Sequence, residues 1–585
     1  MQQQDQITHH NEESTINAKV IISGSGGRIL VECLLTHHVD HVFCVPGESY
    51  LNALDALYDV RERIALRICR HESGAANMAE AYGKLTGKPG IVMVTRGPGA
   101  MNAATGLHTA YQDSTPLIMF VGQVARDCMD REAFQEIDYR RMFGPVTKWV
   151  AQIDDAKRIP EYVSRAFQTA VSGRPGPVVL ALPEDMLVEI TTAFAAPTYT
   201  RVAAAPTVEA VQQLAALLSA AQRPIAILGG SGWTQQAYDD IRRFSEAWQL
   251  PTACAFRFQD LFDNTHSLYA GDVGIGINPV LAQRIKDADV VLAIGPRLGE
   301  MTTSGYTLFD IPTPRQHLVH VHAGAEELGS VYAAEVMINA GMPEFAAVAA
   351  RLVPVNPLAW VGQSGHSGQA EAAHADYLAW STPPTVAGPV QMGEIMRYLR
   401  EHLSSDAIIC NGAGNYATWV HRFYYYRYFR SQLAPTSGAM GYGVPAAIAA
   451  KSLYPERMVI AFAGDGCFMM SSQELATAMQ YALPVIFIVV NNGIYGTIRM
   501  HQERTYPGRV HGTTLTNPDF AAYARSFGAL GATVEKTEDF IPAFEQACAS
   551  GLPALIEIRL SPEVITPTSS LSSIREQALR TQKMS

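Results

Sequence analysis

Cysteine, charge and long apolar runs are all scarce in this sequence, and each scarcity excludes something. Eight cysteines are scattered singly through 585 residues, with no C-x-x-C pair. That argues against a disulfide framework and a cysteine zinc site, and fits reduced thiols in a cytoplasmic setting. Charged residues make up 17% and sum to −11, so no nucleic acid is expected as a partner. No stretch approaches the roughly 18 consecutive apolar residues of a membrane span, so no membrane role is expected. Residues 1–18 are polar and read as a disordered tail, not a signal peptide. What is abundant is apolar residue, at 48%, enough for a large core. The length suits about three or four domains of roughly 150 residues each.

The most informative stretch spans residues 458–492, MVIAFAGDGCFMMSSQELATAMQYALPVIFIVVNN. Residues 459–463 and 485–490 are short apolar runs of buried-strand type. Gly464-Asp465-Gly466 forms a turn after the first run, and Asn491-Asn492 closes the second. Ser471 and Glu474 have capping-box spacing, which predicts a helix starting there and stopping at Pro484. A parallel βαβ unit would bring Asp465 and Asn492 to one sheet edge. A carboxylate and an amide oxygen suit Mg²⁺ or Ca²⁺, and Mg²⁺ takes its remaining ligands from phosphate and water. A diphosphate-bearing cofactor is therefore expected beside the glycine amides.

GDG followed by NN, with 27 positions from Asp465 to Asn492, resembles the fingerprint of thiamine-diphosphate-dependent enzymes. The resemblance implies Mg²⁺ held by Asp465, Asn492 and the backbone carbonyl of Ile494. It places Gly464, Gly466, Cys467 and Met470 against the cofactor. Further along the chain, SGAMGYGVPAAIAA resembles the family's GTMGFGLPAAIG. Gly438 then touches the cofactor, and Met440 wedges beneath it to enforce a V-shaped conformer. An ordinary core methionine is the other reading. Counting back from Trp419, Gly414, Asn415 and Tyr416 fall where the family has a diphosphate-contacting VGQH stretch.

Strand and helix patterns alternate from residue 19 to 194, which predicts a parallel sheet covered on both faces. RHESGAANMAEAYG resembles RHEQGAGHMAEGYA of the acetohydroxyacid synthase branch. That implies that Glu72 hydrogen-bonds the pyrimidine N1′ of thiamine; otherwise it is a first-turn charge at a helix start. TRGPGAMNAATG resembles TSGPGATN, and Gln123 falls on a glutamine near the substrate. Glu48 replaces the second glycine of a PGG turn, as a chemical difference or as a solvated loop charge.

Residues 206–354 read as a second doubly wound domain after an Ala/Pro/Thr-rich linker. In the synthases such a domain holds FAD. Here Gly229-Gly230-Ser231-Gly232 lacks the full G-x-G-x-x-G, and the family's RFDDR is RLGEM, with Met301 for its second arginine. FAD stays open, with Arg174 and Arg297 as the arginines that would touch it. Residues 355–384 read as a linker, 385–562 as the diphosphate-binding domain and 563–585 as a polar tail. The aromatic run HRFYYYRYF reads as buried packing or a subunit contact. His501 stands nine positions past Asn492, where synthases that take 2-oxobutanoate have tryptophan. It would bind a more polar acceptor or is an exposed loop histidine.

The expected fold is α/β, with three doubly wound parallel-sheet domains: pyrimidine-binding, central and diphosphate-binding. The resemblance implies decarboxylation of a 2-oxo acid with carboligation, most simply two pyruvates to 2-acetolactate. A thiamine-dependent decarboxylase or lyase of other substrate range and a non-catalytic cofactor binder are the alternatives. It also implies a homodimer or homotetramer, with Glu72 reaching the cofactor held at Asp465 of another copy.

Overall fold

Three apolar-rich segments build three separate six-stranded sheets, in which every strand pairing is parallel. The computed structural model describes residues 20–362 and 368–584; the predicted tail over 1–18 lies outside them. In the first domain the strands lie in the order Ala65–Ile68, His41–Cys44, Gly90–Val94, Leu117–Gln123, Pro177–Pro183 and Trp149–Gln152. The central sheet runs Tyr269–Asp272, Thr252–Cys254, Pro224–Leu228, Val290–Ile294, His317–His322 and Val336–Asn339. The third runs Gln432–Leu433, Ile408–Asn411, Val459–Gly464, Ile486–Asn491, Ala554–Arg559 and Leu530–Val534. Helices cover the sheets, so the inner strands are continuous apolar runs, as the α/β expectation requires.

Six helices carry or flank the side chains that matter for function. They are α1 (Glu72–Thr86), α2 (Pro98–Asp113), α3 (Tyr139–Phe143), α4 (Ile159–Val171), α5 (Gly496–Thr505) and α6 (Leu571–Met584). His71 caps α1 by accepting the Ser73 N–H, and Gly87 ends it in the left-handed region at φ 75°. Small residues let α1 and α2 cross closely: a Cβ at Gly106 would lie 2.4 Å from the Ala76 methyl.

The first and third domains share one hydrophobic core, which runs from Phe43 and Met78 to Trp419 and Phe487. Polar groups cross that junction as well. Lys84, which pairs with Asp113 and stands 3.4 Å from Glu80, donates across the junction to the Ala434 carbonyl at 2.8 Å, and Tyr442 donates to Glu80 at 2.5 Å. The run HRFYYYRYF is buried packing at Phe423, Tyr424 and Tyr426.

Two segments differ from the sequence-based expectation. The linker over 355–384 contains the helix Gln369–Trp380, whose Tyr377 meets Tyr269 edge-on at 4.8 Å. The polar tail over 563–585 forms a hairpin, Val564–Thr566 with Ser569–Ser570, and then α6. Leu571 and Ile574, three residues apart, give α6 a narrow apolar stripe that packs with Ile494 and Ile565.

Candidate functional site

Strands Val459–Gly464 and Ile486–Asn491 are neighbours, with Gly464 paired to Val490, so their carboxyl ends coincide. Asp465 follows the first as the opening residue of a four-residue helix, Asp465–Phe468, and is 2% exposed. Its Oδ1 accepts the Gly466 N–H at 2.9 Å. Its Oδ2 accepts the Gly493 N–H at 2.9 Å and the Asn517 amide at 2.7 Å. All three donors are neutral. Burial raises the carboxyl pKa, and these hydrogen bonds only partly oppose it. A buried carboxylate surrounded by neutral donors fits a divalent cation, whose charge would offset the desolvation.

Asn492 and Ile494 stand across from it. The Asn492 Oδ1 accepts the Ile494 N–H at 3.3 Å, a long bond that leaves the oxygen able to take a ligand. Gly493 between them turns the chain at φ 68°. Asp465, Asn492 and Ile494 line one cavity of about 810 Å³ with Gly414, Asn415, Tyr416, Gly438, Met440, Gly464, Gly466 and Cys467. The two glycines of the turn are required by packing: a Cβ at Gly466 would come 2.6 Å from the Tyr495 ring, and one at Gly464 3.0 Å from the Tyr416 ring.

Several neighbours of that turn are already engaged. The Tyr416 hydroxyl accepts the Gly412 N–H at 2.9 Å and meets Cys467 Sγ at 3.4 Å, and burial pushes its pKa well up. The Cys467 thiol is likewise raised by burial and accepts the Gly441 N–H at 3.2 Å. Asn415 accepts from Thr497 at 2.8 Å. Met470 does not reach the cavity; it is 48% exposed. The capping box does not form either. Ser471 makes no cap hydrogen bond, though the predicted helix does follow: a 3-10 turn over Ser472–Glu474 runs straight into the helix Leu475–Gln480, which ends before Pro484. Glu474 turns into the domain junction, where it accepts the Arg70 and His71 N–H groups.

The first-domain residues gather elsewhere, at the carboxyl ends of their own strands. Glu72 opens α1, is half-buried, and accepts from Asn102 of α2 at 2.9 Å. Gln123 ends its strand with its side chain held by the Ile137 carbonyl, at 2.9 Å, and the Val124 N–H, at 3.0 Å. Glu48 pairs with Arg96 at 3.2 Å, and Arg96 also pairs with Glu184 at 2.7 Å. Glu72, Gln123 and Glu48 line no part of the Asp465 cavity. His501 is exposed on α5 and also outside the lining. Apolar side chains stand exposed on these surfaces, among them Leu51, Met101, Met469 and Ile498.

On the central-domain side, Arg297 lines the cavity and donates to Glu327 at 3.0 Å. Arg174 does not line it; its guanidinium is taken by Ser114 Oγ at 2.8 Å and the Tyr111 carbonyl at 2.7 Å. Met301 stands in the wall. Arg174 thus spends two of its five N–H donors inside the protein, with Nη1 4.0 Å from Glu327.

Sequence reasoning missed Asn517, which bridges Asp465 and Asn491 from a loop, and Ile565, which joins the cavity wall from the supposed tail. Asn517 carries no sequence signal. Ile565 sits in a short β-branched V-I-T run that strand propensity could have flagged.

Comparison with known proteins agrees with this geometry. Residues 24–142 match the family description "Thiamine pyrophosphate enzyme, N-terminal TPP binding domain", 211–348 its central domain and 412–558 its C-terminal TPP binding domain. The acetolactate synthase large subunit of Corynebacterium glutamicum is 31% identical, over 89% of this chain and 84% of its own. That of Lactococcus lactis is 31% identical, over 86% and 87%. The isozyme 2 large subunit of Escherichia coli K12 is 29% identical, over 92% and 95%. Three successive domain matches, in the order of the three sheets, and relatives aligned along nearly their whole length lead to one conclusion: the chain belongs to the thiamine pyrophosphate enzyme family.

Proposed function

We propose that the chain binds thiamine diphosphate with Mg²⁺, decarboxylates a 2-oxo acid and joins the remaining carbon unit to a second carbonyl. The leading case is two pyruvates giving 2-acetolactate and carbon dioxide. One observation carries the reading: the buried Asp465 meets only neutral donors and shares a cavity wall with Asn492 and Ile494.

In this reading Asp465, the Asn492 amide oxygen and the Ile494 carbonyl hold Mg²⁺. Amides of the Gly464–Gly466 turn and of Gly414 and Gly438 steady the diphosphate. Met440 packs beneath the cofactor, where an unbranched side chain fills an irregular gap. Thiamine diphosphate, when bound, supplies a nucleophilic carbon and accepts the electron pair that decarboxylation leaves. Glu72 holds a proton at pyrimidine N1′ and so tunes the base strength of that ring. Leu560, Val564 and Ile565 in the wall exclude water.

Glu72 and Gln123 lie outside the Asp465 cavity of their own chain, so each complete site takes them from a second copy. The active unit is a homodimer, alone or within a homotetramer, and the exposed Leu51, Met101 and Met469 suit such an interface. The eight unpaired cysteines suit a cytoplasmic enzyme. FAD is not required by any step; a flavin absorption band in the purified protein would show that it is bound.

A second reading, release of the carbon unit as an aldehyde, is favoured by Glu48. Its carboxylate is 65% exposed and fixed by Arg96 at the strand end. The test is incubation with thiamine diphosphate, Mg²⁺ and pyruvate. Two pyruvates lost per 2-acetolactate formed supports the first reading. Loss with aldehyde supports the second. No loss of any 2-oxo acid would reduce the chain to a cofactor binder.

A further inference from the structure

The last strand of the first-domain sheet, Trp149–Gln152, is an edge strand, and α3 and α4 flank it. Between them lies a concavity of about 280 Å³, separate from the Asp465 cavity. Three guanidiniums line it, Arg140, Arg158 and Arg165, against one carboxylate, Glu161. Arg158 is committed, with both arms on Glu161 at 3.0 and 2.7 Å. The Arg140 and Arg165 side chains make no hydrogen bond and no ion pair among the described residues. Glu161 also feels the charge of Arg165, so three guanidiniums share one carboxylate and the pocket lining is net positive.

Rings hold two of the three guanidiniums in place, and Arg140 stands exposed beside them. Trp149 and Tyr162 stack with centroids 5.9 Å apart. Arg165 lies over Trp149 at 4.2 Å, and Arg158 over Tyr162 at 4.8 Å. A guanidinium stacked by its face keeps its N–H edge free, and that edge matches two oxygens of a phosphoryl or carboxylate group. The Trp149 ring reduces the ordering cost of binding, because the Arg165 donors are already positioned. The volume admits a small molecule rather than a folded partner.

The pocket is also wired to the first-domain cluster. Tyr139 is the residue before Arg140 and points inward, 3% exposed. Its hydroxyl donates to the Gly122 carbonyl at 3.0 Å and accepts the Gly97 N–H at 3.2 Å. Gly122 precedes Gln123, whose amide is itself held by Ile137, two residues before Tyr139. Gly97 caps α2, which carries Asn102 to Glu72. A displacement of α3 thus reaches both Gln123 and the partner of Glu72 through four hydrogen bonds.

We propose that Arg140, Arg158 and Arg165 form an effector site for a compact dianion of metabolite size, phosphoryl or dicarboxylate, and that Tyr139 couples its occupancy to the Glu72 end of the domain. The binding half stands whether or not the proposed reaction is right; the coupling half rests on that reaction.

The test uses the full chain with saturating thiamine diphosphate and Mg²⁺, titrated with inorganic phosphate and separately with succinate. Saturable binding of at least one probe is expected, weakened about tenfold or more in Arg140→Ala and in Arg165→Ala. It should be unchanged in Asp465→Ala, which removes the cation site. Preference for phosphate marks a phosphoryl ligand, and preference for succinate a dicarboxylate. Binding that survives both arginine substitutions, or no saturable binding of either probe, overturns the site. For the coupling, the bound probe should change KM or kcat for the 2-oxo acid in the unmodified protein and lose that effect in Tyr139→Phe while still binding. A probe that binds without changing either constant, or whose effect survives Tyr139→Phe, overturns the coupling. An inactive enzyme that still binds the probe in an arginine-dependent way overturns the proposed reaction and leaves the site standing.

Discussion

The Glu474 carboxylate of the third domain accepts the backbone N–H of His71, at 2.9 Å, in the first. It takes the Arg70 N–H at 3.0 Å as well, and its second oxygen accepts from Thr477 at 2.6 Å. The side chain is wholly buried, and burial raises its pKa against the pull of those hydrogen bonds. Glu72 comes next in the chain after His71. The third domain therefore fixes where α1 begins, and with it the position of the glutamate proposed to act on the cofactor. Gly74 belongs to the same contact, since a Cβ there would lie 2.5 Å from the Glu474 Oε1.

Glu474→Ala should strand two part-buried N–H groups and lower stability by about 1–3 kcal/mol. Glu474→Gln keeps the accepting oxygen and should cost about 1 kcal/mol or less. Urea unfolding midpoints measure both. Equal losses in the two variants would mean that the N–H groups find other partners and that Glu474 does not set the helix start.

Glu72→Gln should leave cofactor affinity within a few-fold and slow exchange of the thiamine C2 proton by about 10²–10⁴-fold. The glutamine can still occupy the place beside N1′ but cannot carry the charge. Proton NMR of the bound cofactor follows the exchange directly. An exchange rate equal to that of the unmodified protein would return Glu72 to a helix-start charge that accepts from Asn102.

The strand pair around Asp465 was legible because buried parallel strands are unbroken apolar runs, and because both ends of a βαβ unit must fall on one edge. Glu474 was misread for a related reason. S-x-x-E is a local pattern, but here a contact across the domain junction outweighs it: the Ser471 hydroxyl is left without a hydrogen-bond partner among the described residues and Glu474 faces α1. Helix α6 was hidden by its polar composition. Its stripe of Leu571 and Ile574 is too narrow to stand out, and helices of this length depend on packing more than on propensity. Asn517 could not be found at all, since a lone loop asparagine brought 52 positions through the fold to Asp465 has no local signature.

Asp465→Asn removes the charge and keeps the shape. It should abolish Mg²⁺-assisted uptake of thiamine diphosphate in calorimetric titration, with affinity falling by about two orders of magnitude. Asn492→Ala should weaken uptake by about tenfold, because an amide oxygen is the lesser ligand. Uptake that does not depend on Mg²⁺ in the unmodified protein would remove the cation from this site.

Glu503 on α5 ties the terminal helix to the cavity side of the third domain. Its side chain is fully buried and accepts both arms of Arg575 from α6, at 2.5 and 2.7 Å, with Arg499 at 2.8 Å and the Gly508 N–H at 2.9 Å. These donors, Arg575 first, hold its pKa down at about 2. A depressed carboxyl contributes stability above its unfolded value of about 4.5 and loses it as the pH falls toward 2. Arg575 is partly exposed, so solvent screening limits the contribution to about 1–2 kcal/mol. That is enough to matter for one terminal helix. Docking of α6 should therefore weaken between about pH 4.5 and pH 2, and Ile565 should loosen from the cavity wall with it. In Arg575→Ala the pH-dependent part should shrink and its window narrow, because Glu503 then keeps only Arg499 and Gly508 and its folded pKa lies nearer the unfolded value. Hydrogen exchange over residues 564–584, compared between the two proteins at each pH, reads the change. Matching exchange at every pH would assign the docking to Leu571 and Ile574 and leave the ion pair without effect.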